Sequence, residues 1–592
     1  MQRRRRLILT APLGALVAGA AVSPARAAEP KVLSIARTEQ FDSLDPTRQF
    51  DIGSSTLVEM LYSKLLAYAY LERPYKLVPD LLLAMPELSA DKLTYACTLR
   101  TGVRFRDDPC FKGGQGRELN TDDVLYMLRR YADARINNKS WFAMEGAVVG
   151  LDAYRDATRK AAPDADLEQI EIAGFRKVDA HRFTIKLTRD NPLFLFALAI
   201  SPTAVVPAEA VRMYKDQFSV HPVGTGPFEL NAVERKGTLR FTRYTRYHGV
   251  YPSVGAPGDA EKGLLKDAGK KLPLADVVEM PLIEEAQPAA LKFLRGELDW
   301  RGLDRANFSK MIVAQGDGDF KLAAEYASKF SIYWAPSQNV SYTGINMKDP
   351  LLGKNKALRQ ALARLFDTRG RIKVLLNGRG HALKSIVPLG LPGNENETGA
   401  IGIEYDVPAA KRLVAAAGFP DGRGLPVLTV SYGGSDADTR NAFDFLKARA
   451  AAAGVQLKVE YMDNPTFIKS IEGSNFQIAS YGWVADYADA ENFYQLLYSK
   501  NTAPGPNFPA FANAAYDRAY EASRHMSNGP QRYAHFKTMN DIVRDEVPVI
   551  LEINSLVFGI TQRWVKNFKR NFLQPEYMFL DVDMAAKRKG LS

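Results

Sequence analysis

The sequence predicts an α/β fold with a parallel sheet in its C-terminal half, and three observations carry that prediction. From Pro426 to Tyr481 the pattern runs strand, helix, strand, helix, strand. Within it, Val455, Leu457, Val459 and Tyr461 alternate with Gln456, Lys458 and Glu460, the period of two that buries one face of a strand. Phe443, Leu446, Ala450 and Ala453 fall three or four apart, the spacing of one buried helical face. Strands joined through helices by short, right-handed connections form a parallel sheet.

Taken in order, Leu93 to Leu99 reads as a strand, with Val103 to Phe105 as its hairpin partner after Thr101-Gly102. A helix starts at Asn120 or Thr121 and runs to about Tyr131, with Asp122 and Asp123 in the first turn, where acids complement the helix dipole. Arg182 to Leu187 is a further strand. Pro252 to Pro273 is rich in Gly, Pro and charge and lacks periodicity, as a surface excursion does. Leu358, Ala361, Leu362 and Leu365 make one stripe of a helix ending near Asp367, and Val387 to Gly393 is a loop by composition. Asp406 caps a helix to about Ala416 and Gly418 stops it.

Then come the strand Pro426 to Tyr432, the turn Gly433-Gly434-Ser435-Asp436, and a helix from about Asp438 to Ala453 stopped by Gly454. A strand from Val455 to Tyr461, a helix from about Pro465 to Ile471 and a third strand from about Phe476 to Tyr481 complete the series. In open parallel sheets ligands bind beyond the carboxyl ends of the strands. That rule points to Gly482-Trp483-Val484-Ala485-Asp486-Tyr487-Ala488-Asp489.

The 592 residues, 46% hydrophobic and 24% charged, exceed a single small module and exclude extensive disorder. A net charge of +11 raises the question of nucleic acid. However, residues 1–27 read as a secretory signal: Arg3 to Arg6, the apolar run Leu7 to Val22 interrupted by Pro12, then Ala25-Arg26-Ala27. Removing its five arginines from 78 bases, with no acid lost from 67, leaves 73 against 67, a net of +6. Nucleic acid is therefore not an expected partner. Arg4-Arg5-Arg6-Leu7-Ile8 fits a Sec or a Tat signal alike. No Cys stands near the cleavage point, so a free periplasmic protein is expected rather than a lipid-anchored one.

Cys97 and Cys110 are close in sequence and in an oxidising compartment are candidates for one disulfide; two free or buried thiols is the other reading. The six histidines lack metal-ligand spacing, and no P-loop or G-x-S-x-G elbow occurs. No catalytic residue, metal or cofactor is expected, and the chain is not expected to be an enzyme.

Eight motifs in order then resemble one family: Leu44-Asp45-Pro46; Tyr95 to Phe105 with Asp122-Asp123-Val124; Gly224-Thr225-Gly226-Pro227-Phe228; Gly296-Glu297-Leu298-Asp299; Gly344-Ile345-Asn346; Leu358-Arg359-Gln360-Ala361-Leu362; Tyr405-Asp406 with Ala417-Gly418-Phe419; and Gly482-Trp483-Val484-Ala485-Asp486-Tyr487. They are similar to the periplasmic solute-binding proteins of peptide-type ABC importers, family 5, which include oligopeptide, dipeptide and nickel-binding proteins. The resemblance implies a two-lobed periplasmic binding protein fold, type II, cluster C, with an extra domain inserted in the first lobe. Lobe I would comprise 28–62, 206–330 and 556–592, the extra domain 63–205, and lobe II 331–555. A monomer would capture a short peptide or related small solute and deliver it to permease subunits in the inner membrane.

The resemblance also assigns a site. Asp486 takes the place of the aspartate that pairs with a peptide α-ammonium group, a cation that compensates a buried carboxylate. Backbone groups of Gly482 and Val484 would pair with an extended ligand as an added strand, and Trp483 and Tyr487 would wall side-chain pockets. Tyr481 reads as core. Ser480 departs from the Arg of the oligopeptide binders, which bears on recognition of a peptide carboxylate or of ligand length. The family also takes opines, sugars, metal chelates and haem, so a non-peptide receptor is the alternative, with a periplasmic peptidase or chaperone further off.

Overall fold

The computed structural model describes residues 29–49, 51–136, 138–162, 165–231, 237–316, 319–399, 402–502 and 505–591. The expected signal segment 1–27 lies outside them. The chain forms two lobes, with a domain inserted in the first. In the first lobe, Val32–Ser34, Val277–Met280, Leu239–Arg243 and Phe228–Leu230 make one sheet in that order. The inserted sheet runs Glu87–Leu88, Thr94–Thr98, Arg182–Lys186, Phe175–Lys177 and is antiparallel throughout.

Both edges of Thr94–Thr98 are thus occupied, and Val103 to Phe105 is not its hairpin partner as expected. It lies instead against the segment 117–119, where Phe105 N–H bonds the Arg117 carbonyl and Leu119 N–H the Val103 carbonyl. The expected disulfide is not formed either: Cys97 and Cys110 are free. Cys97 points into the core opposite Phe183, whereas Cys110 sits in a turn whose backbone N–H is held by Asp108 at 3.0 Å. Burial pushes both thiols up to about 12.

The inserted domain is fixed to the first lobe by a buried ion pair, Asp45 to Arg130 at 2.7 Å, with Arg130 on the helix Thr121–Ala132 that Asn120 and Asp123 close with a capping box. Gly226 packs so closely on the end of helix Ile52–Leu61 that a Cβ would lie 2.4 Å from Tyr62 N. The Gly224 carbonyl also accepts from Arg106 N–H of the inserted domain at 3.1 Å, so Leu44-Asp45-Pro46 and Gly224 to Phe228 both meet that domain. Pro252 to Pro273 carries no regular element, and Asp259 anchors it to Lys569 at 2.6 Å.

The third sheet has eight strands: β1 (Trp300–Gly302), β2 (Phe330–Pro336), β3 (Asn339–Ile345), β4 (Gly380–Ala382), β5 (Leu428–Gly433), β6 (Leu457–Met462), β7 (Ile478–Val484) and β8 (Val549–Gln562). β6, β5 and β7 are parallel, joined through α1 (Ala437–Ala451) and α2 (Asn464–Glu472), so the series deduced from periodicity holds. Asp436, expected in a turn, caps α1 by accepting from Asp438 and Thr439 N–H. Asp406 and Gly418 cap and stop Val407–Ala416 as predicted, Gly418 with φ of 98°. Leu358, Ala361, Phe443, Leu446, Val430 and Ile478 share the core beneath.

β8 is long because it serves both lobes. Its outer half, Leu556 to Gln562, pairs with β2, and its inner half, Val549 to Ile553, pairs with β3. The chain crosses between them at Ser337 and Gln338, opposite Asn554. The fully buried Asn554 amide donates to the Ser337 carbonyl at 2.8 Å and the Asn339 carbonyl at 2.7 Å and accepts from Leu389 N–H at 3.3 Å. Removing it strands three backbone groups at the crossing, each costly to leave unpaired. Asn554→Ala is expected to lower stability by about 2–4 kcal/mol, read as an earlier urea midpoint; an unchanged midpoint contradicts the role.

Candidate functional site

β7 has two unlike edges. β3 pairs with it along its whole length, from Ile345 opposite Ile478 to Asn339 opposite Val484. β5 covers the other edge only from Ile478 to Ser480. The strand therefore runs past Tyr481, where the sequence pattern ends it, because β3 goes on offering partners. Ala485 N–H bonds the Gln338 carbonyl at 2.8 Å, which sets the phase. In an antiparallel ladder alternate residues address alternate sides, so Tyr481 and Trp483 turn their backbone groups to β3. Gly482 and Val484 turn theirs to the open edge, and Val484 is 57% exposed. Tyr481 packs in the core as expected, its ring lying over Gly344, where a Cβ would meet the hydroxyl at 2.2 Å.

Asp486 follows the strand. Its side chain is reached by solvent, yet protein surrounds it, as for a group lining a cleft. Burial pushes its carboxyl up to about 6; the Asn492 amide pulls it down, and the Glu491 charge pushes it further up. Among the described residues no Lys, Arg or His forms an ion pair with it. Asn492 Nδ2 donates to Asp486 Oδ2 at 2.9 Å, and Asn492 Oδ1 accepts from Asp486 N–H at 3.1 Å and from the Trp483 indole at 2.9 Å.

Beneath this lies a buried polar layer. Tyr487 and Tyr520 hydroxyls both donate to Glu491, and Arg524 stands 3.5 Å from it. Asp489 and Arg532, each 2% exposed, form a bidentate pair at 2.7 and 2.8 Å. Asp489 also accepts from Glu491 N–H at 2.8 Å, which ties the layer to the loop carrying Asp486. Across the cleft, the Tyr68 hydroxyl accepts from Ala488 N–H at 3.2 Å and Phe196 stacks on Tyr487 at 5.8 Å. Tyr131 of the inserted domain lies close enough for the Asp486 charge to add to the burial that raises its phenol.

Of the residues selected from sequence, Gly482, Trp483, Val484 and Asp486 thus come together at one open edge. Tyr487 does not wall it: the ring is buried and its hydroxyl is committed to Glu491. Ser480 is half-buried at the last position β5 covers. Sequence reasoning missed Glu491, Asn492 and Arg532. The available signal was Asp489-Ala490-Glu491-Asn492 ahead of the apolar Phe493-Tyr494, polar residues in a short helix that is buried throughout and must find internal partners. Four histidines, His181, His221, His248 and His381, each meet one carboxylate, and the described residues hold no cluster able to bind a metal.

Comparison with known proteins bears on the fold and the family. Residues 76–505 match the family described as bacterial extracellular solute-binding proteins, family 5. The dipeptide-binding protein of Escherichia coli (strain K12) is 23% identical over 494 residues, 81% of this chain and 82% of that protein. Heme-binding protein A of Haemophilus influenzae is 24% identical over 494 residues, 81% and 80% of the two chains. Among solved structures, the periplasmic binding protein DppA from Helicobacter pylori in complex with peptide STSA has a TM-score of 0.70 at 19% identity, covering 93% of this chain and 98% of that one. HbpA2 from Haemophilus parasuis has a TM-score of 0.71 at 19% identity, covering 93% and 99%. These likenesses establish the fold.

The buried layer makes its own prediction. Arg532→Leu leaves Asp489 charged and unpaired, an expected loss of about 3–5 kcal/mol. Adding Asp489→Ala should recover part of it in urea unfolding. A double variant no better than Arg532→Leu alone would contradict the pairing.

Proposed function

Because this chain belongs to the family 5 bacterial extracellular solute-binding proteins, we propose that it captures a short peptide in the periplasm and delivers it to the permease subunits of an ABC importer. The observation that carries this reading is the unpaired Asp486 carboxylate beside the open edge of β7. A cleft-lining carboxylate without a cation is a poor arrangement for the protein alone and a good one for a ligand ammonium group. The backbone N–H and C=O groups of Gly482 and Val484 offer an extended chain the hydrogen bonds of an added strand whatever its side chains. Trp483, held by its indole N–H, supplies an aromatic wall next to the first ligand residue.

In this reading a monomer closes two lobes over the ligand. Lobe II would take 331–555, with the chain passing between the lobes near Ser337–Gln338 and Asn554–Ser555, where β8 changes partner from β3 to β2. The inserted domain spans 63–205 and closes the cleft from the far side through Tyr68, Tyr131 and Phe196. Residues 1–27 act as the export signal, by Sec or Tat, leaving the protein free of a lipid anchor.

The decisive experiment is titration calorimetry with Ala-Ala-Ala. Asp486→Ala is expected to weaken binding about 10- to 100-fold at pH 7.5, and N-acetylation of the peptide to cost the wild type the same factor while costing the variant nothing further. Equal affinity of wild type and variant contradicts the ammonium role.

The pH dependence has a definite sign. With Asp486 titrating at about 6 in the free protein, affinity is full above pH 7 and falls about tenfold by pH 5 as the carboxylate is neutralised. A flat profile over that range would count against it.

The raised value also means that the ionised carboxylate opposes folding of the free protein at pH 7.5. Asp486→Asn should therefore raise the melting temperature there, with the gain full above pH 6 and fading as pH falls towards the ordinary range near 4. A lowered melting temperature contradicts it.

A further inference from the structure

We propose that Asn492 is a positioning residue for the ligand site: one buried amide holds the Asp486 carboxylate and the Trp483 indole together, so that the cation-binding oxygen and the aromatic wall are set as a single piece. The inference rests on the reading that Asp486 meets a ligand cation.

The orientation of the amide follows from its partners. The Trp483 indole and the Asp486 backbone have only N–H groups to offer, at 2.9 and 3.1 Å, so the Asn492 atom facing them is the oxygen. The NH2 group must then turn to Asp486 Oδ2, at 2.9 Å. Both lone pairs of the amide oxygen are in use, and Asn492 is fully buried. Its backbone is fixed as well, with N–H to the Asp489 carbonyl at 3.2 Å, and Asp489 is locked to Arg532.

Two consequences follow. Asp486 keeps one oxygen, Oδ1, for the ligand, so the site suits a cation that approaches a single oxygen, such as a primary ammonium, better than a guanidinium seeking both. Movement of Trp483 and of Asp486 is also coupled, since neither can leave without breaking a bond to the same amide. The charged and titratable groups that act on or feel Asp486 are Glu491 from its own loop and Tyr131 from the inserted domain. None is a cation, so hydrogen bonds alone favour the ionised form, the Asn492 amide first and the Asp486 backbone N–H after it.

The test compares wild type with Asn492→Leu and Asn492→Gln. Ala-Ala-Ala and its N-acetyl derivative are titrated from pH 5 to 8, and the Trp483 indole N–H resonance, assigned with Trp483→Phe, is followed in the ligand-free protein.

Asn492→Leu is expected to move the binding midpoint above pH 6, to weaken Ala-Ala-Ala about tenfold at pH 7 without affecting the acetylated peptide, and to shift the indole resonance upfield. Asn492→Gln should restore part of each. An unchanged midpoint together with an unchanged indole signal overturns the proposal, since a purely structural residue would move neither. If Asn492→Leu does not fold, Asn492→Ser removes the amide without adding bulk and is judged by the same readouts.

Wild type that binds no Ala-Ala-Ala would contradict the peptide reading. The positioning role is then decided by the Asp486 carboxyl titration and the indole signal in the free protein: shifts in Asn492→Leu support it, and their absence overturns it.

Discussion

A carboxylate lining a cleft, with no cation paired to it among the described residues, is the constraint around which this part of the molecule is arranged. Asp486 must be held by dipoles alone, the Asn492 amide first among them. Such a group stays unpaired only if its surroundings do not relax to bring it a counter-charge. The rigidity comes from below: Asp489 is locked to Arg532, Glu491 to two tyrosines, and Asn492 stands between them and the cleft. All the strong pairing in the loop is spent on residues that face inward, and the residue that faces outward is left open.

The same constraint ties the site to the crossing between lobes. The phase of β7 is set by the bond from Ala485 N–H to the Gln338 carbonyl, and Gln338 lies at the point where the chain passes from β2 to β3. Asn554 fastens the residues on either side of it. The open edge at Gly482 and Val484 is therefore built directly on the crossing between β2 and β3. Hinge closure is one ordinary way for two lobes to meet over a ligand.

Much of this was legible in the sequence where the signal is local. Periodicity gave the β6, β5, β7 series, and Asp406 and Gly418 marked a helix to the residue, because caps and stops depend on groups three or four positions away. The rule for the ends of parallel strands pointed to the segment Gly482 to Asp489, and the family resemblance picked out Asp486 and its neighbours within it. What failed depended on partners distant in sequence. Val103 to Phe105 lost its hairpin because Arg182–Lys186 had taken that edge. Cys97 and Cys110 are near in sequence and differently placed in space. Trp483 and Tyr487 look alike as aromatics flanking the site, yet only the contacts with Glu491 and Phe196 withdraw Tyr487 from it. Asn492 carries no motif, and its importance lies entirely in three bonds that no spacing announces.

The central claim is that a ligand cation meets Asp486 while the ligand backbone continues β7. A crystal structure of the protein with Ala-Ala-Ala tests it most directly. The account predicts the α-ammonium within about 3 Å of an Asp486 carboxylate oxygen and the peptide chain paired with Gly482 and Val484 as an added strand. A peptide bound with its amino end elsewhere, and with the edge of β7 left unpaired, would contradict it.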